Sequence, residues 1–303
     1  MNVITPAGRA IARTPVEQPA ARPAPRQSLA GARRVLVYVD RSPEAANAVW
    51  RGAWVARDRG LPLHLVALQP LHANLAEARA VAEAFAADVR GKLPLEVVAQ
   101  GVVGAFEHEG LDAASDASLL VVPARPGLRV LRMLRRTGRP VLVVRVPARA
   151  SYERVLAAVE LDLQACSLIA AAHALSPDSG LAVMHVLDIA QEDTARRERD
   201  TVRAREVLAD RIAAAGALDH GVEPLVAFGD TATRVVQQRT ATRAELLVVG
   251  KRPRPALVDA LRDGVAQRVL RASASDTLLL PTPPLAPGAA WALADFASTG
   301  SRR

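Results

Sequence analysis

The residues of this chain that are placed to do chemistry lie just past apolar runs. Asp40-Arg-Ser42 follows Val35–Val39, and Gly250-Lys-Arg252 follows Leu246–Val249. Such runs read as strands, and open α/β sheets bind ligands at the carboxyl ends of their strands. A carboxylate with a hydroxyl at one end, and a glycine with two cations at another, suit holding a ligand. The sequence contains no P-loop, GxGxxG, GxSxG or HExxH pattern. His64, His72, His108, His173, His185 and His220 are scattered without metal-ligand spacing. His64 and His185 fall at what look like matching places in two strands and read as structural imidazoles. Cys166 is the single cysteine, which excludes an internal disulfide. Its apolar helical surroundings predict a buried thiol.

These positions need a framework, and the chain spells that framework twice. Apolar runs at 35–39, 63–68, 119–122 and 140–144 recur in order at 155–159, 181–187, 246–249 and 277–280. A repeat of roughly 120–130 residues suits a duplicated domain better than a solenoid unit. Strands are expected at 35–39, 63–68, 95–99, 119–122 and 140–146, then near 154–159, 181–187, 222–227, 246–249 and 277–280. Helices are expected near 43–59, 72–91, 105–115 and 128–136, with a long charged helix near 192–215. Trp50, Trp54 and Val55 mark the inner face of the first helix, and Leu75, Val81 and Phe85 that of the second. Continuous apolar strands mean that both sheet faces are covered. Alternating β and α segments mean a parallel sheet. The final strands, Val141–Val146 and Thr277–Leu280, are too apolar to stand as open edges. They are expected to pair with each other or with a second chain.

Charge narrows the function classes. The net charge is +8. Up to Arg34, six arginines against Glu17 carry +5, and after Pro281 two arginines against Asp295 carry +1. The globular body keeps +2, which argues against a nucleic-acid-binding surface on the fold. Aromatic residues are 3% of the chain, too few for a base-stacking platform. No apolar run approaches the roughly 20 residues of a membrane span, and the N-terminus lacks the apolar core of a signal peptide. Residues 1–32, rich in Arg, Pro and Ala, read as a disordered tail, and 282–303 as a second tail. A cytoplasmic protein is the default expectation.

Three pieces carry a family resemblance: Val35-Leu-Val-Tyr-Val-Asp40-Arg-Ser42, Glu245-Leu-Leu-Val-Val-Gly250 and Gly264-Val-Ala-Gln-Arg-Val-Leu-Arg271. With the order of elements, the chain resembles the universal stress protein (UspA-like) family in a tandem two-domain form. The resemblance covers roughly 34–281. It implies two five-stranded parallel-sheet domains, Rossmann-like and of the adenine nucleotide alpha hydrolase type, with helices on both faces. The expected domains are 33–147 and 152–281. It also implies an ATP site built from a Gly-x-x-Gly loop, a later Gly-Ser/Thr pair and an acidic residue after the first strand. Backbone N–H groups and a helix N-terminus would hold the phosphates.

Both copies depart from that signature. In copy one Pro123 stands at the Gly250 position, and the following segment is about ten residues shorter than in copy two. Asp40 and Ser42 are then vestiges of a site whose phosphate end is deleted. In copy two the resemblance assigns Glu160, Val186, Gly250, Lys251, Arg252, Gly264 and Val265 to the nucleotide. The second motif glycine is Pro253, which has no N–H. The third is Asp263; a carboxylate about 4 Å from a phosphate costs on the order of 1–4 kcal/mol. Lys251 and Arg252 offset part of this. The reading that follows is a non-enzymatic stress-response protein acting through protein contacts, with self-association or a homodimer through the final strands. The alternative is an ATP- or ADP-binding switch in copy two, with slow ATP hydrolysis at most. A third, nucleic-acid binding through the N-terminal tail, ranks last.

Overall fold

A computed structural model describes residues 34–70, 72–104, 109–114, 116–124, 130–148, 151–175, 180–187, 194–217, 221–251 and 264–281. The first half runs β1 (Arg34–Val39), α1 (Pro43–Asp58), β2 (Leu63–Gln69), α2 (Leu75–Lys92), β3 (Val97–Val103), α3 (Leu111–Ala113), β4 (Ala117–Pro123), α4 (Val130–Thr137) and β5 (Val141–Val144). The second runs β6 (Arg154–Ala158), α5 (Gln164–Leu175), β7 (Gly180–Leu187), α6 (Thr194–Ala214), β8 (Glu223–Phe228), α7 (Thr231–Thr242), β9 (Leu246–Lys251), α8 (Val265–Ala272) and β10 (Asp276–Pro281). The strands form one ten-stranded sheet in the order β3-β2-β1-β4-β5-β10-β9-β6-β7-β8. Every pairing is parallel except β5 with β10, which is antiparallel. The expected α/β tandem is therefore present, joined through its final strands.

The registers fix how the halves correspond. Val35 pairs with Leu63 and Leu119, and Val155 with Leu181 and Leu246. Asp40 thus corresponds to Glu160 and Pro123 to Gly250. Leu120 pairs with Val141 and Leu247 with Thr277, so Leu142 corresponds to Leu278. Those two equivalent residues face each other across the junction, with Val143 opposite Thr277 and Val141 opposite Leu279. A pseudo-twofold therefore passes through the Leu142–Leu278 pair. β5 also pairs with β4, and β10 with β9. Both edges of each final strand are used within the chain, so a second copy cannot add at those strands. The open edges are β3 and β8; β8 carries Pro224, which cannot donate to a further strand.

Alternate strand residues point to two cores. Val35, Val37, Leu63, Leu65, Val155 and Val183 pack under α1, α2, α5 and α6. Leu36, Val66, Leu120, Leu156 and Leu247 pack under α4, α7 and α8. α1 seats close: a Cβ added at Gly52 would lie 2.4 Å from Val37 Cγ2. Its buried face is mainly alanine with Val49 and Val55, while Trp50 and Trp54 are half-buried beneath Lys92 and Arg57. α2 buries Ala78, Ala82, Ala86 and Val89. Leu75, expected inside, is 57% exposed because the helix starts there. Cys166, expected in the core, is half-buried on α5. β3 begins two residues later than the expected 95–99 strand and runs on to Val103. Of the helix expected over 105–115, the described part is α3, with 105–108 and 115 outside the described residues.

Asp276 ties the junction from below. Its side chain is fully buried. Oδ1 accepts from the backbone N–H of Arg145 at 2.7 Å and of Val146 at 3.1 Å. Oδ2 accepts from Tyr152 Oη at 2.8 Å and lies 3.3 Å from Arg51 Nε. The Arg51 guanidinium stacks 3.9 Å above the Tyr152 ring. One carboxylate thus joins the end of β5, the connection to β6 and helix α1. Burial and then the Asp276 charge push the Tyr152 hydroxyl well above its usual range. Burial lowers Arg145, with Asp276 opposing.

Candidate functional site

The carboxyl ends of β6, β7 and β9 open onto a cleft of about 260 Å³. Its walls include Val159 and Glu160 after β6, Met184, His185 and Val186 on β7, Val249 and Gly250 on β9, and Thr231 and Val265 at the first turns of α7 and α8. Four of the expected residues, Glu160, Val186, Gly250 and Val265, therefore meet in one place. Gly264 stands beside them as the N-cap of α8 and carries no capping side chain. The first N–H groups of a helix lack intrahelical acceptors, so this end presents donors and a positive dipole end towards the cleft. Lys251 ends β9, where Pro281 is its pairing partner. Arg252, Pro253 and Asp263 lie outside the described residues.

Several lining groups already hold the framework. Asp162 Oδ1 accepts from Gln164 N–H at 3.0 Å and so shapes the entry to α5. His185 Nδ1 lies 2.9 Å from the Val159 carbonyl. That carbonyl only accepts, which places a proton on Nδ1. At the rim, Asp230 caps α7 by accepting from Thr233 N–H at 2.9 Å, and Arg268 of α8 grips it with two bonds of 2.7 and 2.5 Å. The Arg268 bonds and then those from Thr233 hold the Asp230 carboxyl well below the usual carboxylate range. The charged lining residues among those described are Glu160 and Asp162, so the described wall is acidic.

Asp162, Gln164, Met184, His185 and Thr231 were not expected here. The Asp-x-Gln spacing before an apolar helix was a usable signal for Asp162, since such side chains cap helix starts. His64 and His185 do not match, contrary to expectation. Their registers make His64 equivalent to Ala182 and His185 to Ala67, which lie on opposite sheet faces.

In the first half Asp40 and Ser42 do come together, but with each other. Asp40 Oδ1 accepts from Ser42 N–H at 2.9 Å and from Ser42 Oγ at 2.5 Å, closing the turn into α1. Pro123, buried at the end of β4, occupies the place of Gly250. Among the described residues there is no group of three His, Cys, Asp or Glu able to hold a metal ion. Nor is any described helix long and apolar enough to cross a membrane.

Comparison with known proteins places this geometry. Residues 151–281 match the sequence model of the universal stress protein family. No curated protein matches the chain. Among solved structures, a functionally unknown protein from Pseudomonas aeruginosa PAO1 superposes with a TM-score of 0.62 at 19% identity, covering 89% of this chain and 97% of the other. A provisionally designated universal stress protein from Pseudomonas aeruginosa UCBPP-PA14 gives 0.63 at 19% identity, covering 90% and 99%. A universal stress protein from Archaeoglobus fulgidus DSM 4304 gives 0.56 at 14% identity, covering 82% and 98%. At these identities the likeness is one of fold, and it spans both halves.

Proposed function

We propose, starting from a tandem universal stress protein fold whose second half carries the family match, that this chain is a non-enzymatic stress-response protein acting through protein contacts. Its domains are taken as 33–147 and 152–281, and its family nucleotide site is degenerate. The observation that supports this best is the state of the two strand-end positions. In the first half, Asp40 and Ser42 bond to each other and Pro123 stands where a glycine N–H would be needed. In the second, the described charged wall is carboxylate, which opposes a polyphosphate.

One observation favours a second reading. Glu160, Val186, Gly250 and Val265 share one cleft below the bare N-terminus of α8, so a nucleotide switch in the second half keeps a physical basis. Its volume, about 260 Å³, falls just under the usual span for small-molecule pockets, about 300–1,000 Å³. Calorimetry with ATP and with ADP separates the two readings. No heat at millimolar nucleotide is the expected result. Micromolar binding near one per chain, lost in Gly250→Asp and altered in Glu160→Ala, would replace the first reading with the second.

A further inference from the structure

We propose that a second cleft, lined by α6, β8 and α7, binds a small organic carboxylate with a compact apolar body. Its volume is about 370 Å³, larger than the strand-end cleft and within the usual span for small-molecule pockets, about 300–1,000 Å³. The proposal does not rest on the reading of the strand-end cleft, with which this one shares Met184 among the described residues.

The end of the sheet builds the place. β8 is the last strand. Helices from both sheet faces, α6 and α7, line the cleft around it. Met184 of β7, 2% exposed, and Ala227 and Phe228 of β8 give it apolar walls. α6 adds Arg197, and α7 adds Arg234, Gln237 and Gln238. Among the described lining residues there is no carboxylate, in contrast to the strand-end cleft. The first half has no such place. Its registers put Val66, Val102 and Val103 at the positions of Met184, Ala227 and Phe228, so no ring stands there for a guanidinium to stack on.

Arg197 carries the inference. Its guanidinium stacks 4.3 Å above the Phe228 ring, which fixes the plane of the group. Among the described residues that guanidinium has no hydrogen bond or ion pair. A half-buried Arg held flat with its N–H fork unengaged presents the planar pair of donors that a carboxylate matches. Arg234 is already committed in part. Its Nε donates to the Phe228 carbonyl at 2.6 Å and its Nη1 to Gln237 Oε1 at 3.0 Å. The half-buried Gln238 side chain is likewise unengaged among the described residues and can donate or accept.

The surroundings select the ligand. Two guanidinium groups without a lining carboxylate repel an amine. An inorganic anion would lose hydration against Met184 and Ala227 and gain nothing from them. A polyphosphate carries more charge than one open fork and one partly committed guanidinium can balance. A carboxylate on a ring or a short branched chain sets its two oxygens on the Arg197 fork and its body against the apolar walls.

Saturation-transfer NMR and then calorimetry on the full chain, with benzoate, cyclohexanecarboxylate and 1-naphthoate, test this. At least one should bind below millimolar concentration. Its neutral alcohol and acetate should each bind about tenfold more weakly or worse. Arg197→Gln should weaken binding by roughly tenfold to a hundredfold, the loss of a charge-assisted bond. Ala241→Phe changes an exposed position of α7 on the cleft lining and should block entry. It leaves the core untouched, so it keeps the test open if Arg197→Gln fails to fold by circular dichroism. Four results overturn the proposal. They are no binding of any of the three carboxylates at millimolar concentration, equal binding of the alcohol, equal binding of acetate, and binding that folded Arg197→Gln or Ala241→Phe leaves unchanged.

Discussion

Asp276 is a residue whose loss the fold would feel strongly, because it serves several buried groups at once. Asp276→Ala takes the carboxylate from beside Arg51, itself 2% exposed, and the acceptor from Tyr152 Oη and from two backbone N–H groups. Breaking a buried pair from one side costs about 3–5 kcal/mol, and the drop should show as a lower urea midpoint. Tyr152→Phe, which removes one bond, should cost about 1 kcal/mol. His64 makes a prediction in pH. Burial first, then the Arg34 charge, lowers its pKa to about 4, with the neighbouring Gln100 opposing. The folded value lies below the unfolded one, about 6.5, so the unfolded chain binds the proton more readily. The contribution to stability is complete above about pH 6.5 and is lost as pH falls towards 4. His64→Gln should flatten that part of a stability-against-pH curve; an unchanged slope would remove His64 from the account. Asp230 acts in the same direction at lower pH, being held below the carboxylate range by Arg268 and Thr233.

At the scale of elements, the central strands were legible because they are buried on both faces. Val35–Val39, Leu119–Val122 and Leu246–Val249 are unbroken apolar runs, and each forms an interior strand of the sheet. The first edge strand was less legible. β3 contains Gln100 and Gly101 and is partly exposed, so hydrophobicity gave little signal for where it stops. Helix faces were misread for a different reason. Leu75 looked like a packing residue by size but is exposed, while Trp50 and Trp54 pack against the core only at its margin, because the helices approach the sheet through alanine and glycine. That close approach is testable. At Gly52→Ala the new methyl would meet Val37 at 2.4 Å, and overpacking of this kind costs about 1–3 kcal/mol. At Gly91→Ala in α2 nothing lies within 4 Å, and better helix propensity should add up to about 1 kcal/mol. Melting temperatures moving in opposite directions are the expected result, and a shared direction would mean that α1 is not seated as described.

At the scale of the whole molecule, the site was half legible. Gly250 and Glu160 could be named because the family resemblance assigns those strand-end positions. The side chains that cross between elements, Asp162, His185 and Thr231, could not, because their meeting depends on how β7, α5 and α7 converge on one cleft. The junction was legible as a pairing but not as a lock: one aspartate in an apolar strand gives no sign that it serves Arg145, Tyr152 and Arg51. Both cores include residues of each half, with Leu142 beside Leu278 in one and Val141 beside Leu279 in the other. Continuous cores and a continuous sheet should make the halves unfold together. Trp50 and Trp54 lie in α1 and report on the first half alone once Trp291 is replaced by Phe. Tryptophan fluorescence and far-ultraviolet circular dichroism should then trace one urea transition with one midpoint. Val143→Pro removes an N–H from a strand paired on both edges. It should weaken the junction more than either distant core and draw the two curves apart. Separate curves in the parent protein would mean that the halves are stable alone and that the β5–β10 pairing merely tethers them.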